Sequence, residues 1–489
     1  MGALAPRLLG DADTGWHIRN GELILATHSI TRVDPFSSTM QGKAWYAWEW
    51  LYDVGIAAIH HWGGLNGVVF VSALIIALTF ALTFRFALAR GGTMAGTLLL
   101  SVLAMGGAAI HFLARPHLLS WLFTVIWFHL LDSSPTSPRK LFWLPAMMLL
   151  WVNLHGGFVL GFVLLGIYLL PNLIYLVRTR GSAERGPIVK RCNLLAMVTM
   201  LSALATLVNP YGYRLHLHIY QYLSNRFLMD HIHEFQSPNF HGMAEQCFLL
   251  LCLIAVAAMA AWRIQVTLAD LLVVLLAIAS GLYASRNLPT SSILIALILA
   301  PLVANRSKEN RDAEGKNAPK NDSPISKLHS FALRMGALEN HMRGHLSPAL
   351  TILIGLWVCS HGGRIGATQV MAASFSEKKF PVRAVDFIQT NHIEGPIFAP
   401  DDWGGYLIYR LYPAAAVVTD DRHDLYGEQF FKDYLKLVRV ERGGELVLQN
   451  NHIPWVLVPS ESPLAAALEQ RRDWSSRYRD NAAELFEKQ

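Results

Sequence analysis

The feature that most constrains this chain is a series of apolar runs that recur along most of its length. They fall at about 65–88, 93–113, 117–132, 141–154, 157–177, 193–209, 246–262, 267–284, 288–304 and 348–362. An apolar helix of about 20 residues crosses the ~30 Å hydrocarbon layer of a bilayer. The shorter runs need extension or less tilt than average. The expected fold is therefore a polytopic α-helical membrane protein of about 10 spans. Composition agrees: 53% of the 489 residues are hydrophobic and only 16% are charged, against roughly a quarter charged in soluble domains. The net charge of +6 does not argue for nucleic acid, because the basic residues cluster in short loops between the runs. Cys192, Cys247, Cys252 and Cys359 fall in or beside apolar segments without metal-site spacing, and read as buried thiols.

Lys and Arg set the orientation. Arg85 and Arg90, Arg139 and Lys140, the stretch 178–192, Arg263 and the charged stretch 305–347 all fall on one side if the spans alternate. That side is expected to be cytoplasmic. The expected division is a first outer loop with amphipathic helices (1–64), a transmembrane helical domain (65–304), a mostly disordered cytoplasmic linker (305–347), a last transmembrane helix (348–370) and an outer α/β domain (371–489). In that last domain "PIFAP", "AVVTD" and "WVLVPS" read as mainly parallel strands, with "GGYLIYRLY", "GEQFFKDYLKLVR" and "SPLAAALEQRR" as helices between and after them. Asp402 is expected to cap the first of these helices, and Arg422 to pair with a neighbouring Asp. A functional role for these strand ends requires that they face the site under the first outer loop.

The outer side collects polar groups from six loops. Ionisable residues at such depth are costly unless they face a cavity or a partner. The sharpest element is Asp11-Ala12-Asp13. Its two carboxylates point to one side of an extended or turned segment and are able to share a divalent cation such as Mg²⁺ or Mn²⁺. A turn or cap is the bland alternative. Arg115, His117 and Arg286 lie at outward-facing span ends and suit a lipid-borne phosphate; snorkelling or pairing with nearby acids is the alternative. His17, Glu49, His111 and His155 complete the set as supporting residues.

The stretches "GDADTGWHIRNGELIL", "VDPFS" and "WYAWEWLYDV", with the outer block "PDDWGGYLIYRLYP…VVTDDRHDLYG", resemble the GT-C superfamily of bacterial membrane glycosyltransferases. The match is to polyprenyl-phosphate-sugar-dependent transferases related to protein mannosyltransferases and aminoarabinose transferases. The resemblance implies a sugar donor on a polyprenyl phosphate, used at the outer face of the cytoplasmic membrane. The acceptor would be a glycan, lipid or protein hydroxyl. An acidic residue of the first outer loop, here Asp11 or Asp13, would deprotonate it. Such chains carry a transmembrane helix directly before the Asp-bearing loop, whereas only "MGALAPRLLG" precedes Asp11. The gene read upstream of Met1 is expected to encode about 20 more apolar residues.

Two other functions compete. A transporter of lipid-linked sugars would want charge near the middle of the spans, where this chain has almost none. A non-catalytic assembly protein would use the outer domain to bind a partner.

Overall fold

Each of the ten apolar runs carries a helix. The computed structural model describes residues 5–178, 185–261, 266–314, 330–331, 334 and 346–489. Among the described residues six helices are long and apolar enough to cross a membrane: Trp50–Ala89, Met94–His111, Gly156–Arg178, Arg185–Ala205, Met243–Ala260 and Ser285–Ala304. Three further apolar helices, His117–Asp132, Leu268–Tyr283 and Pro348–Ser360, are shorter. At 1.5 Å per residue a helix of 16 residues reaches only about 24 Å, so the expected count of about ten crossings is not established by helix length. Ser285–Ala304 is the central helix: 78% of its apolar window is buried within the protein, against 22–50% for the other five.

The first long helix has 40 residues and kinks at Gly64, whose φ of 56° lies in the left-handed region open to glycine. At the opposite end of the bundle from the outer loop, Arg90 pairs with Asp132 (2.5 Å) and Asp270 (2.8 Å). Asp270, near the start of its span, is thereby paired where helices meet. The helix that begins at Leu288 continues to Glu314, so the first part of the expected disordered linker is helical. The rest of that linker, apart from 330–331, 334 and 346–347, lies outside the described residues, and 346–347 begin the last apolar helix. The last apolar helix ends at Ser360, and a small hairpin of β1 (Arg364–Ile365) and β2 (Thr368–Gln369) follows it.

The C-terminal sheet differs from the expectation. It has four strands in the order β3–β4–β6–β5, with β3 at Ile397–Phe398, β4 at Trp455–Pro459, β5 at Trp474–Arg479 and β6 at Ala483–Lys488. Only β3 and β4 are parallel; β4–β6 and β6–β5 are antiparallel. The segment "AVVTD" is not a full strand. Val417 makes single bridges to Ile397 and to Ser37 of the first outer loop, so it ties that loop to the sheet. The three expected helices form at Asp401–Leu411, His423–Val438 and Pro463–Glu469. At the start of the first, Asp401 and not Asp402 accepts a backbone N–H, that of Asp402, at 3.0 Å.

The core does not stop at the membrane part. One cluster of buried apolar residues runs from Leu8 and Trp16 through the bundle to Trp403, Tyr406 and Leu485. The helix Asp13–Thr27 lies between the first long helix and Asp401–Leu411. "VDPFS" forms a turn in which both oxygens of Asp34 accept hydrogen bonds, from Phe36 N–H (3.3 Å) and from the N–H and hydroxyl of Ser37 (2.9 and 2.5 Å). Asp34 also pairs with Arg422 at 2.8 Å. Arg422 is 3% exposed, also holds Asp420 at 2.7 Å, and lies 4.5 Å over the Trp45 ring. These residues lock the outer loop to the C-terminal sheet.

Candidate active site

Three glycines bring the acidic residues together. A Cβ on Gly15 would stand 2.3 Å from the carbonyl oxygen of Gly405, and a Cβ on Gly405 would stand 2.4 Å from that of Ala12. Only glycine at both positions lets helices Asp13–Thr27 and Asp401–Leu411 touch backbone to backbone. Gly404, where an added Cβ would stand 2.5 Å from Asp420 Cα, brings the segment after Val417 against helix Asp401–Leu411, and Asp421 thereby lies beside Asp11 and Asp13. One oxygen of each of these three carboxylates falls within 4.8 Å of the others.

Local chemistry fixes the first two. Asp11 Oδ1 accepts the N–H of Asp13 at 2.9 Å, one of the donors left free in the first turn of a helix. Asp13 Oδ1 accepts from the Trp16 indole at 3.0 Å. Arg115, on the loop before helix His117–Asp132, reaches Asp13 Oδ2 at 2.5 Å, Asp11 Oδ2 at 3.1 Å and Glu234 at 3.6 Å. Burial pushes the Asp11 carboxyl up, with Arg115 opposing. Burial also acts on Asp13, but Arg115, Asp421 and His17 outweigh it and hold Asp13 below the usual carboxylate range. Burial and then the neighbouring Asp13 and Asp11 push Asp421 well above that range. Its Oδ1 is buried without a partner among the described residues. Three carboxylates facing one shared arginine therefore need either a proton or an added cation.

These groups line a cavity of about 1220 Å³, together with Glu49, His111, His117, His155 and Arg286. Glu49 lies 3.7 Å from both His17 and His155. Burial raises its carboxyl to about 7, with Asp53 and Asp13 adding and His17 and Arg115 opposing. His155 Nδ1 sits 2.7 Å from the Ser120 hydroxyl and accepts the Gly157 N–H at 3.1 Å. His117 Nε2 lies 2.8 Å from the carbonyl of His111. His17 stands behind the wall, 1% exposed, 2.5 Å from Asp53. It is a buried pair and does not line the cavity.

On the far side Arg286 pairs with Glu234 at 3.4 Å and stacks on Phe235 at 4.3 Å. Arg286, Arg115 and the three aspartates thus face one space, which is what anion binding beside acid–base groups requires. Burial opposes ionisation of Glu234, but Arg286 and Arg115 hold it well below the usual range. The cavity wall also carries Asp401, paired with His423 at 2.9 Å and bonded by Tyr434 at 2.8 Å. Asp421 and Glu234 have no local signature. Asp421 is marked only by the acidic step after "AVVT", and Glu234 only by its loop being on the outer side.

No protein-family model and no curated protein matches the chain. Among solved structures the chain is similar to the Archaeoglobus fulgidus oligosaccharyltransferase in its apo form. The identity is 10% and the TM-score 0.51, over 92% of this chain and 66% of that one. The oligosaccharyltransferase AglB of the same organism, in complex with an inhibitory peptide and a dolichol-phosphate, gives 13% and 0.48 over 92% and 65%. The mycobacterial arabinofuranosyltransferase AftD gives 13% and 0.45 over 98% and 40%. The chain thus spans less than two thirds of each of these proteins. The chain therefore shares the fold of the archaeal oligosaccharyltransferase, a membrane glycosyltransferase of the kind that the sequence resemblance implied.

Proposed function

We propose that the chain moves a sugar from a polyprenyl-phosphate donor to an acceptor hydroxyl of a glycan, lipid or protein. The site would lie at the outer face of a bacterial cytoplasmic membrane, with about ten crossings and the C-terminal domain outside. The observation that carries this reading is the single cavity in which Asp11, Asp13 and Asp421 face Arg115 and Arg286. The charge-derived orientation puts that end of the bundle outside.

In the reaction the acceptor oxygen attacks the anomeric carbon as the bond from that carbon to the phosphate oxygen breaks. The phosphate leaves with the electron pair, and the hydroxyl proton passes to a carboxylate. Asp11 takes that base role, because burial raises its carboxyl and makes it the better proton acceptor, whereas at Asp13 burial is outweighed by Arg115, Asp421 and His17, which hold it below the usual range. Arg115 and Arg286 bind the phosphate, with His117 and His111 shaping its edge. The hard-oxygen donor set and the unpartnered Asp421 Oδ1 fit a divalent cation. Asp13 and Asp421, with Asp11 beside them, are the residues that would hold Mg²⁺ or Mn²⁺, which would supply charge compensation for the departing phosphate.

A second assignment of the base has its own support. The Glu49 carboxyl accepts no hydrogen bond from another side chain among the described residues and titrates near 7, where a general base works best. Transfer of labelled sugar from polyprenyl-phosphate donors, by wild type and by Asp11→Asn and Glu49→Gln, tests both. Loss in the first variant alone supports Asp11, and loss in the second alone supports Glu49. Absence of transfer by the wild type across donors would overturn the reading.

A further inference from the structure

Glu234 raises a question that the proposed reaction does not answer. A carboxylate stands between the two guanidiniums that should bind phosphate, at 3.6 Å from Arg115 and 3.4 Å from Arg286. It is the only acidic partner of Arg286 among the described residues. The backbone of its turn is held in place. The carbonyl of Glu234 accepts from the Ser285 hydroxyl at 3.0 Å, and the next turn is tied by Ser285 N–H to Gln236 O at 2.9 Å. The turn bearing Glu234 and the turn bearing Arg286 are thus clipped to each other, so an anion that enters meets a negative charge beside both arginines.

Such a charge matters because the two lipids of the proposed reaction differ in charge at the phosphate. The donor is a phosphodiester with one negative charge. Breaking its bond to the sugar leaves a phosphomonoester, which carries between one and two negative charges at neutral pH, with a second pKa near 6. Without a divalent cation on Asp13 and Asp421, two arginines against Asp11, Asp13 and Glu234 leave little positive charge to hold the second one.

We propose that Glu234 makes the Arg115–Arg286 pocket prefer the singly charged phosphodiester donor over the doubly charged phosphomonoester product, and so drives product release. The inference rests on the proposed glycosyl transfer and deepens it. Glu234 is a specificity-determining residue here: it touches the phosphate-binding arginines and takes no proton in the reaction. Its removal should strengthen product binding more than donor binding. Turnover would then slow at product release, a step that limits many enzymes.

The test uses binding, so it does not depend on knowing the sugar or acceptor. A short-chain polyprenyl phosphate and its methyl ester are titrated, without divalent cations, against the full chain, as wild type, Glu234→Gln and Glu234→Asp, at pH 8 and pH 5. Wild type should bind the methyl ester about tenfold more tightly than the phosphate at pH 8, as one extra charge near a carboxylate implies. At pH 5 both ligands carry one charge and the preference should vanish. Glu234→Gln should bring the two ligands to near parity at pH 8, and Glu234→Asp should keep the preference. Equal binding by the wild type at both pH values would overturn the inference, as would an unchanged ratio in Glu234→Gln. If Glu234→Gln does not fold, the wild-type comparison of the two pH values decides alone. Failure of the wild type to bind either ligand would overturn the proposed function and the inference with it. Tight binding with no preference would overturn only the inference.

Discussion

Gly15 and Gly405 lie backbone to backbone, and the added Cβ atoms of an alanine pair would stand 2.3 and 2.4 Å from opposing carbonyl oxygens. The obstacle in each case is backbone, which a side-chain rotation does not relieve. Gly15→Ala or Gly405→Ala should therefore force the two helices apart and move Asp421 away from Asp13. The expected cost is about 1–3 kcal/mol of stability, with loss of any transfer activity. Thermal unfolding in detergent checks the first part. Unchanged melting in both variants would show that the helices separate without strain.

Arg422 ties the first outer loop to its own segment through Asp34 and Asp420, and all three groups are almost wholly buried. Removing one partner leaves an uncompensated buried charge. Arg422→Met should cost about 3–5 kcal/mol. Arg422→Lys should rescue little, since one ammonium cannot reproduce the fork that holds both oxygens of Asp420. Melting temperatures of the two variants within a degree of wild type would contradict this.

Glu49 gives a pH signature. Its carboxyl is raised by burial to about 7, above its unfolded value, so the folded protein holds a proton there that the unfolded chain has lost. Folding stability from this group therefore falls as pH rises from about 4.5 to 7, by on the order of 3 kcal/mol at most. Glu49→Gln should remove that fall. Its melting temperature relative to wild type should rise between pH 5 and pH 8. A constant difference across that range would show that Glu49 is not held neutral.

The three-carboxylate cluster predicts a cation effect. Adding Mn²⁺ to metal-free protein should raise its melting temperature, and Asp421→Asn should abolish the rise. If Mn²⁺ stabilises wild type and Asp421→Asn alike, Asp421 is not part of a cation site.

The parts legible in the sequence are those written locally. Apolar runs announce helices because hydropathy is a local property. Asp11, Asp13, Arg115 and Arg286 stand out because polar residues at span ends are few. The meeting of Asp13 with Asp421 depends on a glycine contact between distant segments, and no stretch of sequence contains it. The sheet was misread for a related reason. "WSSRYR" is mostly polar because β5 is an edge strand, and "AVVTD" looks like a buried strand because it is wedged between the outer loop and β3. His17 reads as a site residue because it follows the Asp-x-Asp turn by one helical turn, yet its partner is Asp53, one turn into the next helix.

The most direct measurement of the central claim is transfer of labelled sugar from polyprenyl-phosphate donors by purified, reconstituted protein, with lipid binding measured in parallel. The wild type should transfer. Asp11→Asn should lose about 10²–10⁴-fold in rate and Asp13→Asn should also lose rate, while their binding of the short-chain polyprenyl methyl phosphate stays within a few-fold of wild type. Transfer at the wild-type rate by both substituted proteins would show that the aspartates of the first loop do not carry the chemistry.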